Sequence, residues 1–446
     1  LNEALEGQIA VLALDERATN ARARLSELAS TREWVLVVDD NCANPWAIAS
    51  LLWEHRDQAD VIYADEERDG QLILKSAHVG PHTLLSENII GRPVLLRSGR
   101  LLQLDDGTPD AQSATEWDLY LRLLENGAVF RHVPAVVATR NRVVAEGDAL
   151  AVIGRAFERR NGAASLTSGR HSEHVRWHVA LDEWPAVEIL IPTRDRVDLL
   201  KRCIDSVVAN SSYPNYSITI LDNDSVEPTT AQYFEISGHR VIPCPGPFNY
   251  AAIMNRGVAN TQAPFVVTLN NDTIIETPDW VERLVGVASL DDVGLVGCLQ
   301  IDQHGHHDHD GIVIAPYPQH LKYLENWFAD DFYVEARRNV AAVTGAVTAI
   351  RRERWESVGG MDETLAVVMN DVDLCLRLQE AGHYVVYVPD VRIIHHASSS
   401  RGRLDPIADR NRFVRRWDIF GDFVDPYFPE RLRLFGSTIV AAEMAD

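Results

Sequence analysis

The chain has 446 residues, 46% apolar and 24% charged, which is enough for two or three domains with ample core. Lys and Arg number 42 against 65 Asp and Glu, a formal net charge of −23; a phosphate-backbone partner needs a basic surface, so no nucleic acid is expected. Five cysteines (Cys42, Cys203, Cys244, Cys298 and Cys375) stand apart with no C-x-x-C pair, which favours a reducing, cytoplasmic compartment over a disulfide framework or a structural zinc site.

The first ~35 residues read as one helix, Ala18–Ala29, since its apolar positions recur at helical spacing. No leader pattern precedes it, and the chain opens at Leu1 rather than Met, as a trimmed fragment would. An apolar strand ending in a polar cluster follows, "EWVLVVDDNCANPWAI". Next is a helix, "ATEWDLYLRLLENG", closed by Gly127. Both recur later, as "PFVVTLNNDTIIETPDWV" and "MNDVDLCLRLQEAG". Between the helices the offset is a constant 255 residues: Glu116 falls on Asp371, Asp118 on Asp373, Arg122 on Arg377, Gly127 on Gly382 and Pro134 on Pro389. A Gly and a Pro kept in register point to a distant internal duplication. We therefore expect a partial, degenerate domain over 1–150, a connecting segment over 151–185 with a helix near Ala149–Arg160, and a complete α/β domain over 186–446.

In that second part, "VEILIP" and "YSITILDND" are β-branched strands flanking the helical "RVDLLKRCIDSVVAN", a parallel βαβ unit. Ligands in such sheets sit beyond the carboxyl ends of the strands, where Thr193, Asp195, Asp222 and Asp272 all fall. No G-x-G-x-x-G, G-x-x-x-x-G-K-[ST] or G-x-S-x-G follows a strand, so dinucleotide, P-loop and serine-hydrolase readings fail. Acidic residues at strand ends suit a nucleotide held with a divalent metal. Asp371 reads as the N-cap of a helix over Val372–Ala381, where a general base would be well positioned. Asp373 and Arg377 read as an i, i+4 surface or packing pair. "RIIHHASSSRG" puts His395 and His396 at another strand end as candidate metal ligands, whereas the His-rich "DQHGHHDHDG" reads as a solvated hairpin, lacking Cys and regular spacing. No apolar run approaches the ~20 residues of a membrane span; the longest, Val340–Ile350, holds Thr344, Gly345 and Thr348 and reads as core.

Taken together, "LIPTRDRVDLLKRCIDSVV", "ILDNDS", "FNYAAIMNRGV", "LNNDTIIETPDWVERL", "VTGAVTAIRRERWESVGGMDE", "NDVDLCLRLQEAG" and "HHASSSRG" resemble the inverting nucleotide-sugar glycosyltransferases of family 2, in their bacterial polysaccharide and O-antigen, rhamnosyltransferase-like branch. The resemblance implies a GT-A fold preceded by a partial GT-A-like copy. It also implies a nucleotide-diphosphate sugar donor, a glycan or lipid-linked glycan acceptor, and Mn²⁺ or Mg²⁺. Thr193, Asp195 and Asp222 would hold the base and ribose, with Asn255 and Arg256 near the diphosphate. Asn270 and Asn271 would lie beside the donor, while Asp272, in the position of the family's DxD, binds the metal with His395 or its neighbour His396. Arg401 would help neutralise the diphosphate. Asp371 matches the catalytic base, and Thr344, Gly345, Met361, Asp362 and Trp417 the acceptor side. The chain departs from the pattern in Asn270-Asn271-Asp272 for DxD, in Asn370 before the base, and in Ala397 where relatives commonly carry an acid. A catalytically inactive, carbohydrate-binding scaffold on the same fold is the alternative. Many relatives work at the inner membrane face; this acidic chain, lacking a basic amphipathic helix, would need a partner to attach there.

Overall fold

The structure is a computed structural model. It describes residues 5–14, 21–68, 70–104, 115–140, 146–160, 162–169, 174–315, 317–321, 336–396, 406–421, 423–435 and 438–441. Among them, a first mixed sheet is built from β1 (Ile9–Leu14), β2 (Trp34–Asp39), β3 (Val61–Arg68), β4 (Gln71–Ile73), β5 (Val94–Arg97) and β6 (Phe130–Arg140). Its order is β1-β2-β5-β3-β4, with β6 on the other side of β3. A hairpin of β7 (Ala164–Ser168) and β8 (Val175–Val179) leads into the second part.

The second sheet comprises β9 (Val187–Thr193), β10 (Tyr216–Asp222), β11 (Arg240–Pro243), β12 (Phe265–Leu269), β13 (Thr273–Ile275), β14 (Val293–Ile301) and β15 (His307–His309). After a small hairpin of β16 (Ile312–Ile314) and β17 (Pro318–His320) it is completed by β18 (Arg338–Asn339), β19 (Val347–Arg351) and β20 (Tyr384–His395). The order is β11-β10-β9-β12-β19-β14-β20-β13, with β15 on β14 and β18 on β20. Strands β9 and β14 are buried almost throughout because helices cover both faces, which is why they read as continuous apolar runs. The helix Val197–Asn210 shows the complementary pattern, burying Leu200, Cys203, Ile204 and Val207 on one stripe.

The two sheets share a wiring pattern. Parallel β1/β2, antiparallel β2/β5, β5/β3 and β3/β4, and parallel β3/β6 correspond in order and sense to β9/β12, β12/β19, β19/β14, β14/β15 and β14/β20. The helices Thr115–Glu125 and Asn370–Glu380 begin and end at the 255-residue offset. In the described residues the first sheet ends at β1, whereas β9 continues to β10 and β11.

One sequence expectation is corrected by β1. Only a helix was expected before Asp39, yet β1 precedes it; its "IAVLAL" is Ala- and Leu-rich, and a short apolar run of that kind does not declare a strand by periodicity. The segment 151–185, expected as a connector, supplies Trp177, which is buried and donates its indole N–H to Ser86 Oγ at 3.1 Å. One buried cluster runs from Leu12 and Val35 through Trp117, Phe157 and Trp177 to Ile189, Leu284 and Ile393. The two halves therefore share a core. Asn339 of β18 adds a polar clasp: its Oδ1 accepts from the backbone N–H groups of His82 (3.0 Å) and Thr83 (3.2 Å) at the start of the helix Pro81–Ser86.

Candidate active site

The strand ends β9, β10 and β12 meet at one edge of the second sheet. Thr193 is buried at the end of β9, and its Oγ1 accepts from Asn271 Nδ2 at 3.0 Å, tying β9 to the turn after β12. Asp195 has a left-handed φ of 55°. Its Oδ1 accepts the backbone N–H groups of Val226 and Glu227, each at 2.7 Å, and its own N–H donates to Ser225 Oγ. Asp222 Oδ1 accepts from the Ser225 N–H at 3.0 Å. One oxygen of each carboxylate thus shapes the loop after β10. Asn223, passed over in the sequence, is buried and donates to the Cys244 and Gly246 carbonyls, while its Oδ1 accepts no hydrogen bond among the described residues.

Asp272 is buried, and the ladder between β13 and β20 fixes its neighbour: Thr273 lies opposite His395, and the His396 N–H donates to the Asp272 carbonyl at 2.9 Å. Asp272 Oδ1 makes no hydrogen bond among the described residues and lies 3.5 Å from His395 Nε2. A buried, unsatisfied carboxylate oxygen is costly, and an imidazole nitrogen beside it makes a donor pair that Mn²⁺ accepts. Among the described residues no three His, Cys, Asp or Glu side chains converge on one point. A metal held by two protein groups would keep positions for water and diphosphate oxygens, as nucleotide-bound Mg²⁺ and Mn²⁺ do. Burial would lower the His395 pKa, but the neighbouring carboxylates of Asp272 and Asp308 outweigh it and raise it to about 9.

Asp371 is tied to the turn after β12 through residues 345–346. The Asn270 N–H donates to the Ala346 carbonyl at 2.8 Å, and the Gly345 N–H donates to Asp371 Oδ2 at 2.8 Å. The loop between them is pinned by Tyr250 Oη and Thr268 Oγ1, both donating to the Gly345 carbonyl. A Cβ on Gly345 would lie 3.3 Å from Asp371 Cβ and 3.4 Å from Tyr250 Oη. Asp371 is not the helix cap expected from the sequence. Met369, at φ 65°, takes the N-cap position, and Asp371 lies in the first turn with Oδ1 accepting from the Val372 N–H at 2.9 Å. The half-buried carboxylate therefore has one N–H on each oxygen and a lone pair left over on each.

The expected acceptor side is a braced loop. Asn255 exchanges hydrogen bonds with the Met361 backbone and adds Glu363 Oε1 at 3.1 Å, so its amide is committed there. Arg256 is exposed on the same helix. Asp362 binds Thr364 and the Arg416 guanidinium (2.9 Å). Trp417 donates its indole N–H to Asp373 Oδ1 at 3.0 Å. The pair Asp373–Arg377, expected as an ordinary surface or packing pair, is a buried junction. Asp373 is fully buried and Arg377 also donates to the Val358 and Gly360 carbonyls. Thr344 donates its backbone N–H to His309 Nε2 at 3.3 Å. That contact corrects the reading of the His-rich segment as solvated: His304 and His306 are exposed, but His309 is buried and Asp308 reaches His395. Arg401 and Ala397 lie outside the described residues.

The first sheet carries a counterpart arrangement with different content. Arg92, in the loop before β5, donates to both oxygens of Glu116 from Nε (2.9 and 2.8 Å) and to Asp39 Oδ1 from Nη1 (2.8 Å). Glu116 aligns with Asp371 and Asp39 with Asn270, so a guanidinium fills the space between them.

A family model described as "Glycosyltransferase like family 2" matches residues 185–417. An uncharacterized protein of Sinorhizobium fredii is 35% identical over 267 residues, 56% of this chain and 29% of that protein. The O-antigen biosynthesis protein RfbC of Myxococcus xanthus is 29% identical over 465 residues, covering 96% of this chain and 36% of RfbC. An N-acetylglucosaminyl-diphospho-decaprenol L-rhamnosyltransferase of Mycobacterium tuberculosis is 42% identical over 71 residues, 16% of this chain and 23% of that enzyme. The chain thus spans only a minor part of the length of each of these relatives. With more than half of its residues matched, the chain belongs to glycosyltransferase-like family 2.

Proposed function

We propose that residues 186–446 transfer a sugar from a nucleotide-diphosphate donor to a glycan hydroxyl with inversion, in the assembly of a bacterial surface polysaccharide. The observation that carries this reading is the Asp371 carboxylate, held by the Val372 N–H and by the Gly345 N–H, the latter on a loop whose Ala346 carbonyl accepts from the Asn270 N–H of the turn that carries Asp272. Asp371 orients the acceptor hydroxyl and takes its proton as that oxygen attacks the anomeric carbon in line. Thr193, Asp195, Asp222 and Asn223 shape the nucleotide end, and Asn270 and Asn271 set the turn that presents Asp272. Asp272 and His395 would hold Mn²⁺ or Mg²⁺, which supplies positive charge against the leaving diphosphate. The names of the relatives, O-antigen biosynthesis and rhamnosyl transfer to N-acetylglucosaminyl-diphospho-decaprenol, support the substrate class.

The first half is a non-catalytic platform in this reading. Its described residues supply no counterparts of β10 and β11, and Arg92 takes the space beside Glu116. The proposal is tested by incubating the full chain with a panel of uridine, thymidine and guanosine diphosphate sugars and Mn²⁺. Thermal shift selects the donor, and release of nucleoside diphosphate is then followed with and without glycan. Stabilisation by one donor class with metal-dependent release is the expected result. Glycan binding with neither donor binding nor release would assign an inactive scaffold instead.

A further inference from the structure

The His-rich hairpin reaches the candidate metal site through one carboxylate. Strand β15 extends the β14 ladder, with His309 opposite Gln300 and His307 opposite Ile301. On the far side of β14, Ile393 and Ile394 of β20 pair with the same two residues. Strand β14 thus lies between β20 and β15, and the His395 and Asp308 side chains meet across it. Its two ring nitrogens face different acids: Nε2 is 3.5 Å from Asp272 Oδ1 and Nδ1 is 3.3 Å from Asp308 Oδ2. The His395 and Asp308 side chains are 11% and 16% exposed, so the contact is largely shielded from water.

A histidine can donate a lone pair to a metal only from a nitrogen that carries no proton, and the partner of the other nitrogen decides which one that is. Metal-bound histidines almost always give their second N–H to a carboxylate, carbonyl or water. We propose that Asp308 is a positioning residue for the metal centre: by accepting the Nδ1–H of His395 it directs the Nε2 lone pair toward Asp272. This rests on the reading that Asp272 and His395 hold the metal. It gives the "HHDHDG" segment a role beyond its buried His309. It also supplies, from 87 residues upstream in β15, a carboxylate that the His395-His396-Ala397 segment lacks.

The test is Mn²⁺ binding to the full chain, with Mn²⁺ alone as the probe, followed by the electron spin resonance of the free ion. Asp308→Ala is expected to weaken binding about 10–100-fold, and to reduce the spin-echo modulation from directly bound ¹⁴N. His395→Ala should lose that modulation outright. Adding Asp308→Ala to His395→Ala should cost nothing more, since the carboxylate acts only through the ring; a merely structural role would give additive losses. Asp308→Asn, which retains an oxygen acceptor, should fall between the native chain and Asp308→Ala. It replaces Asp308→Ala in the cycle if the alanine variant shows no cooperative melting. Native-like Mn²⁺ affinity in the Asp308 variants, or additivity in the His395→Ala background, overturns the inference while leaving the metal site standing. No Mn²⁺ binding by the native chain overturns both.

Discussion

Asn339 offers the sharpest test of how the two halves are joined. Its Oδ1 accepts two backbone N–H groups at the start of the helix Pro81–Ser86, and its own N–H donates to Thr83 Oγ1 at 2.9 Å. A Cβ on Gly80 would lie 2.3 Å from that same oxygen, so the approach is close and water has little room to replace the side chain. Asn339→Ala removes a cap, typically ~0.5–2 kcal/mol. It also leaves buried donors on His82 and Thr83, each costing ~1–3 kcal/mol if unsatisfied. Because cap loss and donor loss describe overlapping contacts, we expect ~2–4 kcal/mol in total. Asn339→Asp keeps the acceptor oxygen and should recover most of this. Urea unfolding followed by tryptophan fluorescence and by circular dichroism reads it. The shared cluster from Leu12 to Ile393 predicts one coincident transition by both probes. A loss below ~0.5 kcal/mol in Asn339→Ala, the range of ordinary surface substitutions, or an Asp variant as weak as the Ala variant, would refute the reasoning.

Three further outcomes follow. Gly345→Val should keep the fold but push the Asp371 carboxylate from its place, lowering turnover by on the order of 10²-fold; unchanged initial rates would show that this close approach is unimportant. Arg92→Ala strands two partly buried carboxylates and should cost ~1–3 kcal/mol in thermal or urea unfolding without creating a second nucleotide site by titration. Burial alone would raise the Asp390 pKa, but Arg337, His178 and Arg283 hold it well below the usual carboxylate range. Its contribution is therefore complete above the unfolded carboxylate value of ~4 and lost as pH falls below it. The melting temperature should drop more steeply on acidification in the native chain than in Asp390→Asn, and parallel curves would remove Asp390 from that role.

Much of the site was legible because it lies at strand ends, where an apolar run stops and polar residues begin. "FVVTLNND" marks Asp272, "VRIIHH" marks His395, and the periodic "VDLCLRL" marks the helix that carries Asp371. What stayed hidden depends on partners distant in sequence. Asp373 looked like a surface or packing partner of Arg377 because its junction is closed by Trp417, 44 residues away. Asp308 and His309 looked solvated because their contacts, His395 and Thr344, are brought in by other strands. Asn255 and Asp195 were expected to face the donor; the structure gives much of their hydrogen bonding to the loops around it. Polar residues near a site also brace its loops, as these two do, and spacing does not separate that role from ligand contact.

The most direct test of the central claim is sugar transfer by Asp371→Asn in the full chain, measured beside donor affinity. The substitution keeps an oxygen for the Gly345 N–H but removes the base. Transfer should fall by about 10²–10⁴-fold while donor and Mn²⁺ bind as in the native chain. Transfer at the native rate would contradict the account and return the base to another residue.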